Sequence, residues 1–528
     1  MPNIQDRQGL GSEELQELSK TGPFGGTQSE MPISAIDKYG FASSSNVVFR
    51  LGRAIARPGI TPDGNLGNSG GVGGKIVGFY NFQSNTNGAF RVALQANPNG
   101  GLYVRGLTNW GSPIAGGTVL GGVNKAAMAS LNGLFCYSDS STALQTFDGT
   151  TINNTITGAP KASNMAEIAL HLVAGNTNTG PFTYEWSGVG DPTDWTSFSS
   201  GQNNYSADLG PINGILKLGQ IGYGFHFNGI IQIIPTGIGT VPFEFEPLQS
   251  AKKGVYLANT LSKFELGGLD CCAFVGQGNV YMFNQTQCQG IGDAPIQGRS
   301  RIGARQAIMA DVYNASVGIL NFANVLGIDS LVTENLRDIP YKAYWLFLRN
   351  VVWIFNLEEE NWARYSLGPA NPDINLYSTA GLIDFEETQF TDALLSPYPS
   401  VALGKSFTVY KQNFSVPSEG AMSLTSGKIT FEDVRHKHTI KKLRLRFTDL
   451  TTITYTVTLT NEKGVSETQV VTLGTGSGDD LSYIFSFSLN GLRFQYNISA
   501  PATASFAIIE IAPYYDTSGE QRGGVVDN

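Results

Sequence analysis

Charged residues are scarce in this chain of 528 residues. Asp, Glu, Lys and Arg make up 15% of it, whereas about 25% is usual in soluble proteins. Gly is abundant, with 64 residues, and long polar helical runs are missing. This composition favours an all-β protein whose surface consists of neutral turn residues rather than charged helix faces. The length suffices for two to four domains with ample core.

An excess of positive charge is also missing, since 34 Lys and Arg face 43 Asp and Glu and the net charge is −9. A protein that binds nucleic acid without sequence preference needs a basic surface that displaces counterions from the phosphates. The negative net charge therefore argues against a nucleic-acid-binding protein of this kind. It is compatible with the wall of a channel through which DNA passes without binding.

Cysteine is rare and lacks the spacing of a zinc site. The four residues are Cys136, Cys271, Cys272 and Cys288. None forms a CxxC pair, and two adjacent cysteines cannot easily form an ordinary disulfide. We predict buried, reduced thiols in a protein assembled in the cytosol.

Long apolar runs are absent as well. No stretch approaches the roughly 18 apolar residues of a membrane helix. The N-terminus, MPNIQDRQGLGSEELQ, lacks the basic and then apolar segments of a signal peptide. The sequence predicts a soluble protein made in the cytoplasm.

Short apolar runs separated by turn residues fill the segment from 66 to 425. Four of them form hairpin patterns, with turns near 139–142, at Asn228–Gly229, at Gln277–Gly278 and at Arg349–Asn350. A lone hairpin is marginal in water, but small sheets stacked radially bury both faces. We therefore predict an irregular β-propeller of roughly five to seven blades. Trp362 is expected on an outer strand, packed between neighbouring sheets.

The two ends of the chain differ from this pattern. Residues 1–65 are rich in Gly and Pro and predict an extended N-terminal docking arm. Residues 426–528 alternate apolar and polar side chains and predict an immunoglobulin-like β-sandwich with a loose C-terminal tail. A helical interruption is expected from Ala315 to Gly327.

Candidates for chemistry are few. His436 and His438 point to one side of a strand and could bind a metal with Asp433, but the surrounding cations oppose this. In GVGDPTDW, Asp191 and Asp194 resemble an acid–base pair, although both also suit ordinary turns. His171 and His226 lie in apolar strands, where hydrogen-bonded core imidazoles are expected. We predict no catalytic residue, no cofactor and no metal.

One strand, RHKHTIKKLRLRF, concentrates positive charge. Its cationic residues are Arg435, Lys437, Lys441, Lys442, Arg444 and Arg446. Three interpretations remain open for this interaction surface: the wet face of a sandwich strand, a phosphate-facing ring in an oligomer, or a docking surface for an acidic partner.

Two motifs carry a family resemblance. GPFGGTQSEMPISAIDKYGFASSSNVVFRLGRAIARPGITP resembles the opening of bacteriophage tail propeller proteins, with an Asn-Val-Val element and Arg-Pro-Gly before the first blade. YEWSGVGDPTDWTSF, with the following SADLGPINGILKLGQIGYGFHFNGIIQI, resembles blade text of the same proteins. The resemblance spans residues 22–460 and points to the tail nozzle or hub proteins of short-tailed phages, a group that includes packaged-DNA stabilisation proteins.

This resemblance implies a non-enzymatic structural protein of the virion tail, assembled in the host cytoplasm. Such proteins form a homo-oligomeric ring, usually six-fold, below the portal and adaptor proteins. They continue the channel for double-stranded DNA, help retain the packaged genome, and carry tail fibres, spikes or a needle. Two other classes remain open from the residues: a carbohydrate-active propeller enzyme and a kelch-like protein-interaction module.

Overall fold

A computed structural model describes most of the chain. The described residues are 16–17, 41–50, 53–56, 58–66, 75–96, 100–106, 109–121, 125–293, 304–316, 328–336, 339–348, 351–366, 379–383, 400–405, 408–417, 421–431, 436–450, 453–474, 476–501 and 506–521. Within them the fold is nearly all β, in many small antiparallel sheets. The all-β prediction is therefore confirmed.

The N-terminal part of the chain supplies five strands. They are β1 (Gln16–Glu17), β2 (Phe41–Ser45), β3 (Val47–Arg50), β4 (Arg53–Ala56) and β5 (Pro58–Asn65). Their partners lie far away in sequence and are described below.

Strands β6 to β31, with β5, form seven small sheets, numbered in chain order. Sheets 1 to 3 comprise β6 (Ile76–Ser84), β7 (Gly88–Gln95) and β8 (Gly101–Val104); β9 (Ala127–Leu131), β10 (Leu134–Ser138), β11 (Gln145–Phe147) and β12 (Ile152–Asn153); and β13 (Ala162–Ile168), β14 (His171–Thr177), β15 (Gly180–Trp186) and β16 (Gly201–Asn204). Sheets 4 and 5 comprise β17 (Ile212–Leu218), β18 (Ile221–His226), β19 (Ile230–Ile238) and β20 (Val241–Pro247); and β21 (Ser262–Leu266), β22 (Leu269–Gly276), β23 (Asn279–Phe283) and β24 (Cys288–Gly290). Sheets 6 and 7 comprise β25 (Ile328–Leu336), β26 (Ile339–Leu348), β27 (Val351–Asn356) and β28 (Asn361–Ser366); and β29 (Thr379–Ile383), β30 (Ser400–Lys405), β31 (Thr408–Pro417) and the N-terminal strand β5.

The seven sheets follow one another in a closed order. The first strands of neighbouring sheets contact each other, β6 with β9, β9 with β13, β13 with β17, β21 with β25, and β25 with β29. Sheets 4 and 5 are joined by a hydrogen bond of 3.0 Å from Lys263 Nζ to Lys217 O. Finally β29 contacts β6, so sheet 7 returns to sheet 1. Each sheet thus has neighbours on both faces, as burial of apolar residues on both faces requires.

The hairpins read from the sequence are present at the expected positions. β18 pairs with β19 around Asn228–Gly229, and β22 pairs with β23 around Gln277–Gly278. Gly278 has φ +76°, a conformation that glycine adopts without steric cost. Trp362 lies on β28, the fourth strand of sheet 6, and is 2% exposed. Its Nε1 donates to Ile291 O at 2.9 Å, between sheets 5 and 6, as predicted.

The C-terminal strands form two larger sheets. They contain β32 (Met422–Ser426), β33 (Ile429–Thr430), β34 (His436–Leu450), β35 (Ile453–Asn461), β36 (Ser466–Leu473), β37 (Gly476–Gly491), β38 (Arg493–Ala500) and β39 (Phe506–Gln521). Sheet 8 has the order β3-β4-β39-β34-β37, with β1 on β39, and sheet 9 has the order β2-β32-β38-β35-β36, with β33 on β38. Both sheets contribute to one hydrophobic core.

The described part of the N-terminal segment departs from the expected docking arm. Strands β2, β3 and β4 are members of sheets 8 and 9, and Phe41, Val47 and Phe49 are buried in the core that these sheets share. The next strand, β5, pairs with β31 and completes sheet 7. Strands β2 to β5 are thus integral to both parts of the fold. Of residues 1–40 only Gln16–Glu17 is described, and the arm remains a prediction there.

Sheets 8 and 9 attach to sheet 6. Asn46, in the turn between β2 and β3, donates from its backbone N to Arg364 O at 3.0 Å, and its Nδ2 donates to Ala421 O at 2.7 Å. Ala363 of β28 belongs to the core of sheets 8 and 9. This junction places the C-terminal sheets at one side of the series of seven.

Within the described ranges, one α-helix, α1 (Arg305–Ser316), lies between sheets 5 and 6. It begins ten residues before the predicted helix of 315–327, most of which lies outside the described residues. Ile308 and Val312 pack in the core of sheets 5 and 6. No described helix combines the length and apolar character that crossing a membrane requires.

Candidate interaction surfaces

The basic strand of the sequence is β34, an interior strand of sheet 8. Leu443, Leu445 and Phe447 are buried in the core, while Arg444 and Arg446 alternate with them and stay half-exposed. The period of two therefore separates an apolar face from a cationic one, as on any half-buried strand. This alternation agrees with the interpretation of a wet sandwich face.

One buried carboxylate holds both arginines in place. Glu510 on β39 accepts from Arg444 Nη2 at 2.6 Å and from Arg446 Nη1 at 3.0 Å. Burial by itself would raise the pKa of Glu510, but the hydrogen bonds and charges of the two guanidinium groups outweigh it and hold the pKa below its usual value. Two guanidinium groups therefore share one carboxylate.

The other members of the predicted surface lie on the same strand. Lys437, Lys441 and Lys442 are half-buried, and a β-bulge between Ile440 and Lys442 brings the last two side by side. Arg435 lies outside the described residues. Together β34 contains five Lys or Arg and one Asp, the strongest cationic concentration in the chain.

The histidine pair does not show a metal site. His438 is 3% exposed and stacks on Phe431, with ring centroids 3.9 Å apart. Asp433 and the side chain of His436 lie outside the described residues. Among the side chains that the structure does describe, no group of three His, Cys, Asp or Glu is placed to hold a metal ion.

A second surface is formed by the turns that join the first and second strands of sheets 1 to 5, here called the first-turn rim. Asn85 Nδ2 donates to Asn132 O at 2.9 Å, and Asn132 Nδ2 donates to Gly190 O at 3.2 Å. Gly190 N in turn donates to Leu170 O at 2.6 Å. These bonds join sheets 1, 2 and 3 along one side of the molecule.

The rim continues through charged side chains. Glu167 accepts from Leu170 N and pairs with Lys217 Nζ at 2.8 Å. Lys263 donates to Lys217 O and pairs with Asp270 at 2.7 Å. Asp270 also accepts from Gly219 N at 2.7 Å. Its pKa is lowered, first by the hydrogen bond from Lys263. A continuous polar network thus links five sheets.

Next to this rim, sheets 3 and 4 expose large apolar side chains, here called the apolar patch: Leu170, Val189, Phe198, Ile238 and Val241. Phe198 is 78% exposed, and each of the other four is more than half exposed. Phe198 lies beside Gly239, in the turn between Ile238 and Val241, where an added Cβ would be 3.8 Å from the ring. Phe198 and this turn thus share an exposed apolar surface, and such surfaces are typical of interaction sites when they are extensive.

The sheets that carry the apolar patch are also strongly acidic. From residue 162 to 247 the chain has seven Asp or Glu and a single Lys, a net charge of −6. Glu244 and Glu246 are exposed on β20, whereas Phe243 and Phe245 on the same strand pack against Trp186. This concentration of one charge sign was not recognised from the sequence, although a count by segment reveals it.

The carboxylates of GVGDPTDW serve the turn that contains them. Asp191 accepts from Thr193 N at 2.8 Å, and Asp194 accepts from Ser197 N at 3.0 Å. Trp195 Nε1 donates to Pro192 O at 2.8 Å. The structural interpretation of this motif is confirmed, because each group has a partner within its own loop.

The remaining reactive groups are buried. His226 is fully buried; its Nδ1 lies 2.7 Å from Gly210 O and its Nε2 lies 2.8 Å from Tyr184 Oη. Burial lowers the pKa of His226, and the bond to Gly210 offsets this in part. The four cysteines, all described, are free thiols, and only Cys288 is half-buried rather than buried. His226 and three of the cysteines are buried as predicted, whereas the burial of Cys288 is only partial.

Comparison with known proteins identifies no family. No family model matches the chain, and no curated protein matches it significantly. Among solved structures, an extracellular domain from B. thetaiotaomicron, described as part of a hybrid two-component system, is 10% identical and covers 81% of this chain, with TM-score 0.42; the chain spans about half (47%) of that domain. The exo-β-1,3-galactanase of Phanerochaete chrysosporium is 11% identical over 76% of this chain and 97% of the enzyme, with TM-score 0.26. BBS1N, solved in complex with ARL6DN, is 9% identical over 70% of this chain and 97% of that chain, with TM-score 0.37. These low scores support no inference about function.

Proposed function

We propose that this chain is a structural, ring-forming protein of the tail nozzle or hub of a short-tailed bacteriophage. In this proposal the seven small sheets are an irregular seven-bladed β-propeller, and sheets 8 and 9 are an immunoglobulin-like β-sandwich attached to its side. The protein continues the DNA channel below the portal and adaptor, helps retain the genome, and carries fibres, spikes or a needle.

The observation that carries the proposal is where the residues of the phage resemblance lie. The Asn-Val-Val element contains Asn46, which joins sheets 8 and 9 to sheet 6. Pro58 and Gly59 of the Arg-Pro-Gly motif begin β5, the N-terminal strand that completes sheet 7. The GDPTDW element lies in the loop between β15 and β16 of sheet 3, and Asp-Leu-Gly forms a short 3-10 helix and its C-cap just before β17 of sheet 4. The first two motifs therefore lie in elements that join the parts of the fold, as expected of a shared scaffold.

The composition agrees with this role. A net charge of −9 suits a wall that repels DNA weakly and does not retain it. The motif that most resembled a catalytic pair, Asp191 and Asp194, is used in turn formation, which favours the structural role over the carbohydrate-active alternative.

Co-assembly with the neighbouring tail components tests the proposal. The purified chain is mixed with the portal and adaptor proteins encoded beside it, and the products are examined by sizing and negative-stain microscopy. We expect an added ring below the adaptor, on the axis of the particle. No association under conditions in which portal and adaptor associate, together with glycan hydrolysis in a polysaccharide screen, would overturn the proposal in favour of an enzyme.

A further inference from the structure

The outer face of sheet 9 is built from short, uncharged polar side chains. On β35, Tyr455, Val457 and Leu459 point into the core that sheets 8 and 9 share, so the residues between them point outward. Of the outward positions described on β2, β32, β38, β35 and β36, Arg493 at the start of β38 is the one that carries a charge. We call the other outward positions the hydroxyl face, and they are Ser43, Ser45, Ser423, Thr425, Thr454, Thr456, Thr458, Thr460, Ser466, Thr468, Val470, Thr472, Gln495, Asn497 and Ser499.

The strand registers align these side chains in rows. The first row crosses five strands, with each residue directly opposite the next: Ser43, Thr425, Asn497, Thr458 and Thr468. The neighbouring row is formed in the same way by Ser45, Ser423, Ser499, Thr456 and Val470. Because neighbouring strands are about 4.7–4.9 Å apart, the first row offers a polar group at about that interval across the whole sheet.

Hydrogen bonds within the hydroxyl face hold its side chains in place. Asn497 Nδ2 donates to Thr425 Oγ1 at 2.7 Å and to Ser423 Oγ at 3.2 Å, and the hydroxyl oxygens of Thr458 and Thr468 are 3.0 Å apart. A hydroxyl group has one donor and two acceptor sites, so each paired hydroxyl can still bond to a ligand. Side chains that are already fixed lose little conformational freedom when a ligand binds.

The chemistry and the size of the hydroxyl face restrict its partner. The face contains neither Lys nor Arg, which a phosphate polymer requires, and Val470 is its one large aliphatic side chain, so it offers little apolar contact. Five strands and their outward positions span roughly 20 Å by 20 Å, or roughly 400 Å², whereas each partner in a stable protein complex buries about 800 Å². Uncharged donors and acceptors in a row match a polyol chain instead.

We propose that the hydroxyl face binds a neutral polysaccharide, with the sugar chain lying across the strands along the row that contains Asn497 and Thr458. The length of one pyranose ring along such a chain is close to the spacing of the strands, so each ring meets one strand and exchanges hydrogen bonds with its side chain. This inference goes beyond the proposed function and does not depend on it. An assembly with several copies would bind a repetitive polysaccharide more tightly than one copy does.

Native electrophoresis of the purified full-length chain, in gels that contain dextran, mannan, galactan or hydroxyethyl cellulose, tests the proposal. We expect at least one of these neutral polymers to retard the wild-type chain. The double variant Thr458→Val with Thr468→Val removes two hydroxyls and keeps the β-branched shape, so it should lower the association constant by about tenfold. The matched control is Thr408→Val in sheet 7, which removes a half-buried strand hydroxyl that donates to Asn65 Oδ1 at 2.7 Å and should leave retardation unchanged.

A second variant, Thr456→Arg, leaves the first row intact and places a long charged side chain beside it. It should abolish retardation while the thermal midpoint stays near that of wild type, because the position is at the surface of the sheet.

No retardation of the wild-type chain by any of the four polymers would overturn the inference, and so would equal retardation of wild type and both variants. Loss of self-association in Thr456→Arg, without any binding of polysaccharide, would assign the face to a second copy and would likewise overturn it. Each of these results leaves the proposed function intact, since that function is tested with portal and adaptor. Release of reducing sugar from a bound polymer would instead contradict the proposed function itself.

Discussion

The ion pair between Asp63 and Arg105 gives the sharpest prediction about how the seven sheets close. Asp63 lies on β5, the N-terminal strand in sheet 7, and Arg105 follows β8 in sheet 1. Arg105 Nε and Nη2 donate to Asp63 at 3.0 and 3.1 Å, and Trp110 Nε1 donates to the same carboxylate at 3.2 Å. Both charged side chains are only 3% exposed.

The perturbation is Asp63→Ala, which leaves the Arg105 guanidinium buried without its carboxylate. Removal of one partner from a buried pair costs about 3–5 kcal/mol, because the remaining charge loses its compensation. That is a large fraction of the roughly 5–15 kcal/mol by which a domain is stable. An apolar replacement of both partners, Asp63→Leu with Arg105→Met, removes the buried charge and should recover most of the loss.

Urea unfolding, followed by tryptophan fluorescence, measures the cost, and hydrogen exchange of the β5 amides locates it. We expect faster exchange at the pairing of β5 with β31 in the single variant. The matched control is Lys217→Met, which removes a pair whose side chains are 32% and 27% exposed and should cost less than about 1 kcal/mol. A cost for Asp63→Ala no larger than that of the control, with unchanged β5 exchange, would refute the reasoning.

Three further predictions concern the interior. Gly224→Ala places a Cβ 2.0 Å from Tyr184 Oη, so it should destabilise the fold by about 1–3 kcal/mol; Gly474→Ala, with open space around the position, should leave the thermal midpoint within about one degree or raise it slightly. Because the pKa of His226 is lowered in the folded chain, its contribution to stability is complete above about pH 6.5 and is lost as the pH falls through the folded pKa. The thermal midpoint should therefore drop between pH 7.5 and 5.5, and less so in His226→Gln; an equal drop in both proteins would exclude His226 as the cause. Burial raises the pKa of Cys288 to about 12, so a thiol reagent at pH 7.5 should label almost no cysteine in native protein and all four after unfolding; rapid labelling of the native chain would contradict its burial.

Local patterns were sufficient to predict the hairpins and the orientation of β34. A two-residue turn with Gly between apolar runs, as at Asn228–Gly229, specifies both strands and their register. The alternation of Leu443 and Leu445 with Arg444 and Arg446 likewise identifies the buried face. These features depend on residues that are neighbours in sequence. A single sequence is therefore sufficient to predict the hairpins and the buried face of β34.

The sequence alone could not predict which strands that are distant in the chain pair with each other. Nothing in Pro58–Asn65 indicates that it pairs with a strand some 350 residues later, because periodicity identifies a strand but not its partner. Four of the Gly and Pro residues that suggested a free arm, Pro58, Gly59, Pro62 and Gly64, lie within β5 itself. For the same reason, the sequence could not predict the contact between Glu510 and two arginines that lie over 60 residues before it.

The acidic charge of sheets 3 and 4 illustrates a third case. The carboxylates are plain in the sequence, but the exposed apolar side chains on the same sheets are revealed only by the structure. In the sequence, Phe198 follows Trp195 in a turn-rich loop, and a large apolar side chain there suggests a core residue. In the structure, Phe198 is the most exposed large apolar side chain of those described.

The mass of the purified protein in solution tests the account most directly. One copy has a mass of 56.6 kDa. Mass photometry across a range of protein and salt concentrations should find a discrete ring, and for six copies its mass would be six times 56.6, or about 340 kDa. A single species of one-copy mass at every salt and protein concentration, and also in the presence of portal and adaptor, would contradict the ring.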